Sequence, residues 1–238
     1  MNSDSMDLKE LAEYLHQDVR EVSKLVSRGH LPGRKVAGEW RFARAEINHW
    51  IETQMSGYSE KQLTAIEQGR SRSSEHEEPL ISVLLSEATM AVPFGATTRT
   101  SALRELVNLA EQSGHVYDPD ALLAAVQQRE ELASTALESG VAISHPRRPL
   151  PAALAEPVLA YGRTFSGVPF GAPRGITTDV FFLLASRDDP THLRVLARLS
   201  RLLLRPDFVD GLRALDTPSE TWQFIADAEQ RLLEGETD

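Results

Sequence analysis

One histidine lies where its side chain can do chemistry, in a turn rich in proline and arginine. In ESGVAISHPRRPL, residues 138 to 150, a short apolar run ends at Ile143 and is followed by His145, with Arg147 and Arg148 close behind. An imidazole has an unperturbed pKa of about 6.5, so near pH 7 it is largely neutral and nucleophilic. The stretch leaves three roles open for His145: nucleophile, ligand or surface residue without a chemical role.

Two further side chains are of types that can take part in chemistry. His192 lies in DDPTHLRVL, where an aspartate and a proline predict the start of a helix, and Arg129 lies in QQREEL. A helix N-terminus and a guanidinium can both stabilise a negatively charged group. The alternatives are that His192 only occupies a first helical turn and that Arg129 pairs with a glutamate of its own helix.

Other kinds of site are not supported by the sequence. It has no cysteine, no GxxxxGK[ST] loop and no GxSxG turn, so thiolate chemistry, nucleotide hydrolysis and serine-hydrolase chemistry are not expected. Four of the seven histidines, His16, His30, His49 and His76, precede residue 80, and we find no metal-binding pair accompanied by a third ligand. We therefore expect neither a metal nor a cofactor.

Composition and charge indicate a cytoplasmic protein of two domains. The chain has 238 residues, is 41% hydrophobic and carries a net charge of −10. No apolar run reaches the ~18 residues of a membrane span, and the N-terminus is polar and acidic, so membrane insertion is not expected. A net negative charge argues against a protein that coats nucleic acid but allows a local basic face. Composition does not indicate the oligomeric state.

The elements that must position these residues begin with a short N-terminal domain. Asp7 and Asp18 can each cap a helix with apolar residues at helical spacing, and only two residues separate these helices. GRKVAGEWRF then predicts a hairpin with a glycine-centred turn, and residues 44 to 54 predict a last helix. Residues 55 to 79 are poor in aliphatic side chains and rich in serine and charge, which is typical of a flexible linker between independently folded parts. Within it, residues 62 to 68 could form a transient helical turn.

This helix-helix-hairpin-helix order, with the run RGHLPGRKVAGEWRFARAEINHWI, resembles the excisionase-type, MerR-related winged helix-turn-helix family over residues 7 to 54. The resemblance implies binding to duplex DNA. The second helix would contact base edges and phosphates, and the hairpin would contact phosphates or the minor groove. The alternative is that these are ordinary solvated charges. The candidate contact residues are Arg20, Ser23, Lys24, Arg28, Arg34, Lys35 and Arg41.

From residue 80 onward, strands alternate with helices, which predicts a layered α/β domain. The runs ISVLLSEATMAVPF, GVAI, EPVLAYGRTF and DVFFLLAS are β-prone, and DVFFLLAS reads as a central buried strand. Four amphipathic segments predict helices in SALRELVNLAEQSG, PDALLAAVQQREEL, DDPTHLRVLARLSRLLL and residues 218 to 233, with a shorter helix at 206 to 215. We expect domains at residues 1–55 and 80–238, with a linker at 56–79.

The order from VYDPDALLAAVQQREELASTALESGVAISHP to DVFFLLASRDDPTHLRVLARLSRLLLRPDFVDGL is similar to the fructose, mannitol and nitrogen-regulatory type of enzyme IIA domain of the bacterial phosphotransferase system. The resemblance implies a mixed sheet flanked by helices and a phosphoryl acceptor at His145, served by an HPr-type carrier. It also implies that His192 and Arg129 support that site. The family pattern at this loop has Pro-His-Gly, whereas Ser144 and Pro146 flank His145 here, and Pro146 removes one backbone N–H.

Two functions from different classes follow. The first is a DNA-binding regulator whose enzyme IIA-like domain senses phosphotransferase flux through phosphorylation of His145. The second is a phosphocarrier that relays phosphoryl groups, with the N-terminal domain serving protein contact. A third reading is a DNA-binding protein whose IIA domain is a phosphorylation-silent interaction module.

Overall fold

The computed structural model describes residues 5–15, 17–69, 78 and 80–235. The N-terminal part has the predicted helix-helix-hairpin-helix order. Its elements are β1 (Ser5–Met6), α1 (Leu8–Leu15), α2 (Val19–Ser27), β2 (Arg34–Val36), β3 (Glu39–Ala43) and α3 (Arg44–Gln54). The three strands form an antiparallel sheet in the order β1-β3-β2. The predicted winged helix-turn-helix architecture is confirmed.

Local interactions explain where these elements begin and turn. The Asp18 carboxylate accepts a hydrogen bond of 2.8 Å from the backbone N–H of Arg20, which caps α2 as predicted. The hairpin turns at Ala37 and Gly38, whose φ angles are 51° and 85°. Positive φ at both central residues matches the twist of the flanking strands in a two-residue turn.

Part of the segment predicted as a flexible linker is a packed helix, α4 (Glu60–Gln68). A capping box between Ser59 and Gln62 starts it, and its Leu63 side chain is fully buried. The prediction of an unpacked chain is therefore wrong for residues 60–68, because one apolar side chain and one buried carboxylate anchor the helix. Residues 70–77 and 79 lie outside the described residues, and the domain boundaries stay a prediction.

The larger part of the chain forms an α/β domain around one four-stranded sheet. Its helices are α5 (Ile81–Leu84), α6 (Arg99–Glu111), α7 (Pro119–Leu132), α8 (Asp189–Leu203), α9 (Phe208–Ala214) and α10 (Pro218–Glu234). Its strands are β4 (Met90–Ala91), β5 (Val141–Ser144), β6 (Val158–Val168) and β7 (Thr178–Ala185). The β-prone reading of ISVLLSEATMAVPF is largely wrong, since ISVL is helical and only two residues of the run form a strand.

The sheet is mixed, with the order β4-β6-β7-β5. β6 and β7 are antiparallel, while β4 pairs with β6 and β5 pairs with β7 in parallel. β7 lies between two strands and is almost entirely buried, as predicted for DVFFLLAS. The mixed sheet flanked by helices confirms the predicted fold class.

Two apolar clusters cover the two faces of this sheet. Alternate residues of β7 separate between them: Phe181 and Leu183 pack with α6 and α7, and Val180 and Phe182 pack with α8 and α10. The cluster that contains Val180 and Phe182 continues through α4 into the N-terminal helices. The described residues of the two parts therefore share one hydrophobic core. No helix among the described residues has the length and apolar character needed to cross a membrane.

Candidate active site

His145 follows directly after β5, at one edge of the sheet, and is only 5% exposed. Its Nδ1 lies 2.8 Å from the carbonyl oxygen of Ile143. A carbonyl oxygen can only accept a hydrogen bond, so Nδ1 carries the proton in the neutral ring. Nε2 is then the nitrogen with a free lone pair, and it is the nucleophilic atom of this side chain.

His192 lies beside His145, as the enzyme IIA resemblance implies. The chain leaves β7 and enters α8, which Asp188 caps by accepting a 2.8 Å hydrogen bond from the N–H of Thr191. β5 and β7 are parallel neighbours, so the residues that follow them meet at the same edge of the sheet. The two imidazole rings have centroids 5.2 Å apart.

Arg129 lines the same cleft as His145. The cleft has a volume of about 690 Å³ and lies between α3, α8 and the segment around residues 133–139. Arg129 is 5% exposed, donates a 2.9 Å hydrogen bond from Nη1 to the carbonyl of Ala133, and has no hydrogen-bond partner for Nε among the described residues. An arginine with an unused donor beside the nucleophile suits an incoming phosphate.

Glu52, which the sequence reasoning missed, reaches this site from the last turn of α3. Its Oε1 lies 3.1 Å from His192 Nε2, and its Oε2 lies 3.4 Å from His145 Nε2. On α3 itself, His49 Nδ1 lies 3.5 Å from Glu52 Oε2. The Glu52 side chain is only 3% exposed. A carboxylate of the N-terminal part is therefore enclosed among the histidines of the α/β domain.

Burial and charge set the protonation of this group. Burial lowers the pKa of His145, opposed by the Glu52 carboxylate, and the positive charge of Arg129 lowers it further. Burial alone would raise the pKa of Glu52, but the three neighbouring imidazoles outweigh it and hold that pKa far below its usual range.

A sequence signal for Glu52 did exist. In HWIE, residues 49–52, His49 and Glu52 are three residues apart and share one face of α3. We predicted no metal-binding pair with a third ligand. The sequence does not reveal this group because His145 and His192 are distant from Glu52 along the chain. The fold brings Glu52, His145 and His192 together so that one donor atom of each lies within 4.8 Å of the others.

The residues next to His145 divide between the core and the surface. Ser144 and Pro146 are buried, and the hydroxyl of Ser144 has no hydrogen-bond partner among the described residues. Arg147 and Arg148 are exposed. The substituted turn is therefore packed against the domain, while its two arginines face solvent, where a partner protein can reach them.

The candidate DNA-contact residues lie on α2 and on the hairpin, away from this cleft. Arg20, Lys24 and Arg28 are exposed on α2, and Ser23 is half-buried there. Arg34 and Lys35 are exposed on β2, with the Lys35 ammonium 5.4 Å from the centre of the Trp40 ring. Two of the seven are near acidic groups: Arg41 donates a 2.9 Å hydrogen bond to Glu39, and Lys24 lies 4.0 Å from Glu21.

Comparison with known proteins places both parts of the chain. Residues 84–228 match the family described as "Phosphoenolpyruvate-dependent sugar phosphotransferase system, EIIA 2", and residues 5–55 match a helix-turn-helix domain family. The finer prediction of an excisionase-type domain stays a prediction.

Similar individual proteins agree with the family match. The fructose-specific EIIABC component of Bacillus subtilis (strain 168) is 30% identical over 129 residues, which is 53% of this chain but only 20% of the Bacillus protein. A nitrogen regulatory protein of Pseudomonas aeruginosa is 29% identical over 140 residues, or 58% of this chain and 88% of that protein. The crystal structure of the nitrogen regulatory protein IIA-Ntr of Neisseria meningitidis superimposes with a TM-score of 0.55 at 23% identity, covering 62% of this chain and 99% of that one.

Proposed function

This chain belongs to the EIIA 2 family of the phosphoenolpyruvate-dependent sugar phosphotransferase system, and on that premise we propose that it is a DNA-binding regulator controlled by phosphorylation of His145. EIIA domains exchange phosphoryl groups with other phosphotransferase proteins, and the helix-turn-helix domain implies DNA binding. The proposal adds a donor, an HPr-type carrier, and a coupling between the two parts.

One observation carries the coupling: the carboxylate of Glu52, on the last helix of the N-terminal part, lies 3.4 Å from the Nε2 of His145. A phosphoryl group on that nitrogen needs the space that Glu52 occupies. Both groups are negatively charged in a buried site, where like charges repel strongly. Phosphorylation of His145 and this placement of α3 therefore exclude each other.

The transfer itself uses the side chains of the cleft. The bond between phosphorus and the imidazole of the carrier breaks as a bond from His145 Nε2 to phosphorus forms, so the phosphoryl group moves and no other atom is gained or lost. The Nδ1–H of His145 remains hydrogen-bonded to the Ile143 carbonyl, which stabilises the positive charge that develops on the ring. Arg129 and His192 stabilise the phosphoryl oxygens.

Displacement of Glu52 transmits the event to the DNA-binding elements. α3 packs on α8 and follows the hairpin without an intervening loop, because β3 ends at Ala43 and α3 begins at Arg44. A change in the position of α3 on α8 therefore moves the hairpin relative to the α/β domain. Two arrangements with different affinities for DNA are the physical requirement for such coupling.

The test combines labelling with DNA binding. The full chain, incubated with phosphoenolpyruvate, enzyme I and an HPr-type carrier, is expected to gain an acid-labile phosphate on His145. Its affinity for a selected genomic DNA fragment, followed by fluorescence anisotropy, is expected to change on labelling by about 5- to 150-fold, the usual range of allosteric coupling.

Glu52→Ala separates the coupling from the chemistry. Without phosphate, this variant is expected to shift DNA affinity in the same direction as phosphorylation does in the unmodified protein, and to be labelled faster. Glu46→Ala, an exposed glutamate of the same helix, is the matched control and is expected to change neither quantity.

The outcomes distinguish the alternatives. Labelling with unchanged DNA affinity would favour the phosphocarrier reading. DNA binding with no labelling by any carrier would favour a phosphorylation-silent module, in which Glu52 simply holds the two parts together.

A further inference from the structure

Four buried nitrogen and oxygen atoms lie close together at the cleft without a hydrogen-bond partner in the described part of the chain. They are His49 Nδ1, Glu52 Oε2, His145 Nε2 and His192 Nε2. None has a hydrogen-bond partner among the residues that the structure describes, although Glu52 Oε2 lies 3.5 Å from His49 Nδ1 and 3.4 Å from His145 Nε2. The other oxygen of Glu52, Oε1, lies 3.1 Å from His192 Nε2. Buried polar atoms are normally satisfied, so such a group indicates a missing cation or ligand.

The tautomer of His145 indicates that the missing partner is positively charged. Its Nδ1–H is committed to the Ile143 carbonyl, so a neutral ring directs a lone pair toward the Glu52 carboxylate. Two acceptors facing each other in a buried site repel unless a positive charge lies between them. A backbone carbonyl that holds the remote N–H of a histidine is also the usual support of a metal-binding imidazole.

We propose that Glu52, His145 and His192 bind one divalent transition-metal ion, and that Zn²⁺ fits the site best. Two imidazoles and one carboxylate are a common zinc ligand set, whereas Mg²⁺ and Ca²⁺ prefer oxygen ligands alone. Ligands about 2.0–2.1 Å from a tetrahedral Zn²⁺ are about 3.3 Å apart. Each histidine nitrogen lies at about that spacing from a different oxygen of Glu52, 3.1 Å for His192 Nε2 with Oε1 and 3.4 Å for His145 Nε2 with Oε2. One ligand atom of each of the three residues lies within 4.8 Å of the others, so a small adjustment of the side chains suffices to close the site around one ion.

The cleft provides a route for the ion. Glu52 and His145 both line it, so the site is reached from solvent without unfolding. His49 is 25% exposed and lies 3.5 Å from Glu52 Oε2, so it orients the carboxylate or provides the fourth ligand. A site of this kind ties the N-terminal part to the α/β domain, because its ligands come from α3 on one side and from β5 and α8 on the other.

Metal binding itself does not depend on the proposed function, but one consequence does. The lone pair of His145 that binds the ion is the one that attacks phosphorus, so a bound metal blocks phosphorylation. At free Zn²⁺ of 100 times the dissociation constant, only about 1% of the molecules keep a free site, and labelling falls about 100-fold.

The binding test uses Zn²⁺ alone on the full chain without an affinity tag. Isothermal titration is expected to show one Zn²⁺ per chain, and Co²⁺ is expected to give the intense visible absorption of a tetrahedral site. Glu52→Gln, Glu52→Ala, His145→Ala and His192→Ala are each expected to weaken binding by at least about 100-fold, since even indirect partners of a metal cost 10–100-fold. His49→Ala is expected to cost about 10-fold.

Two exposed residues provide the controls. His115→Ala removes an exposed histidine of the α/β domain, and Glu46→Ala removes an exposed glutamate of α3; both are expected to bind Zn²⁺ as the unmodified protein does. Melting curves without metal show which variants are folded, and Glu52→Gln, which keeps the size of the side chain, decides the matter if Glu52→Ala is unfolded. No Zn²⁺ binding to the unmodified protein, or equal binding by the folded Glu52→Gln variant, overturns the proposal.

A labelling assay then tests the consequence. A carrier phosphorylated in advance is added to the chain with and without Zn²⁺, so that enzyme I is not a variable. Labelling is expected to fall with Zn²⁺, to recover with a chelator, and to fall by no more than about 2-fold at the same Zn²⁺ concentration in Glu52→Ala, whose site is at least about 100-fold weaker. Zn²⁺ binding without any labelling contradicts the proposed function and leaves the metal site standing, whereas labelling unaffected by saturating Zn²⁺ contradicts the role of His145 as a ligand.

Discussion

At the scale of single residues, the two nitrogens of His145 have different tasks. Nδ1 is fixed by the Ile143 carbonyl, and Nε2 faces Glu52 and the ring of His192. The same arrangement suits a phosphoryl acceptor and a metal ligand, because both require a neutral ring with one directed lone pair. In the two proposals above, Glu52 favours a metal ion at Nε2, and displacement of Glu52 favours a phosphoryl group there.

The acceptor is expected to be His145 and not His192. His145→Ala should abolish acid-labile labelling, because it removes the nucleophile. His192→Ala should slow labelling by a factor on the order of 10 to 10³, as for the loss of an electrostatic or positioning partner. Labelling rates with excess phosphorylated carrier measure both, and label that persists in His145→Ala would contradict the assignment.

Pro146 is expected to slow the transfer. It has no N–H to offer a phosphoryl oxygen, whereas the glycine of the family pattern does. Pro146→Gly should therefore speed labelling by roughly 10- to 100-fold, since a hydrogen bond to a charged group is worth about 1.5–3 kcal/mol. Pro149→Gly, the same exchange at a half-buried position further along the turn, is the control, and equal acceleration by both variants would point to loop flexibility instead.

At the scale of elements, a buried ion network joins α4 to two helices of the α/β domain. Arg198 of α8 donates to the carboxylates of Glu67 on α4 and Glu229 on α10, and all three side chains are almost fully buried. Arg201 adds a 2.7 Å hydrogen bond to Glu67. Glu229 in turn accepts hydrogen bonds from three backbone N–H groups at residues 80–82. These contacts hold α4 on the domain and explain why residues 60–68 are not an unpacked linker.

Glu67→Ala is expected to destabilise the protein by about 3–5 kcal/mol, because it leaves buried positive charge insufficiently paired. The free energy of unfolding from urea titrations measures the effect. Glu60→Ala is the matched control on the same helix: its side chain is 53% exposed and lies 3.8 Å from Arg201, so its loss should cost less than about 1 kcal/mol. Similar costs for the two variants would mean that the buried network does not hold α4.

At the scale of the whole molecule, a strongly acidic chain carries a local basic surface on α2 and the hairpin. Binding to DNA through that surface should depend on salt, because each phosphate contact displaces condensed counterions. The contact between Arg41 and Glu39 reduces the charge that Arg41 offers, while Lys24 is more exposed. Among the candidate DNA-contact residues, the more exposed ones are therefore the better positions at which to test DNA binding by substitution.

Lys24→Ala is expected to weaken DNA binding and to reduce the slope of log K against log salt by about 0.9, the value of one phosphate contact. Arg41→Ala should have a smaller effect in the same direction. Anisotropy titrations at several salt concentrations measure both effects. Lys61→Ala, which removes an exposed lysine of α4, is the control and is expected to leave the slope unchanged. An unchanged slope for Lys24→Ala would remove α2 from the DNA interface.

The sequence alone predicted what depends on neighbours along the chain. Apolar periodicity and capping residues such as Asp18 located most helices, and the buried run of β7 and the glycine-centred turn of the hairpin were also predicted correctly. ISVL was misread because a short apolar run fits a strand and a buried helical turn equally well. Family resemblance located His145 at the end of β5.

Only the tertiary structure decided what surrounds His145. Glu52 is far from His145 and His192 in the chain, and its local pairing with His49 does not indicate these distant partners. It reaches them because α3 packs on α8 at the edge of the sheet where β5 and β7 end. Likewise, the sequence shows Glu67 only as one charged residue in a polar segment, whereas in the folded protein its carboxylate accepts a hydrogen bond from Arg198 in the core. Local pattern determines which element forms, whereas the burial of a carboxylate depends on which distant side chain compensates its charge, and that is fixed only when the helices pack.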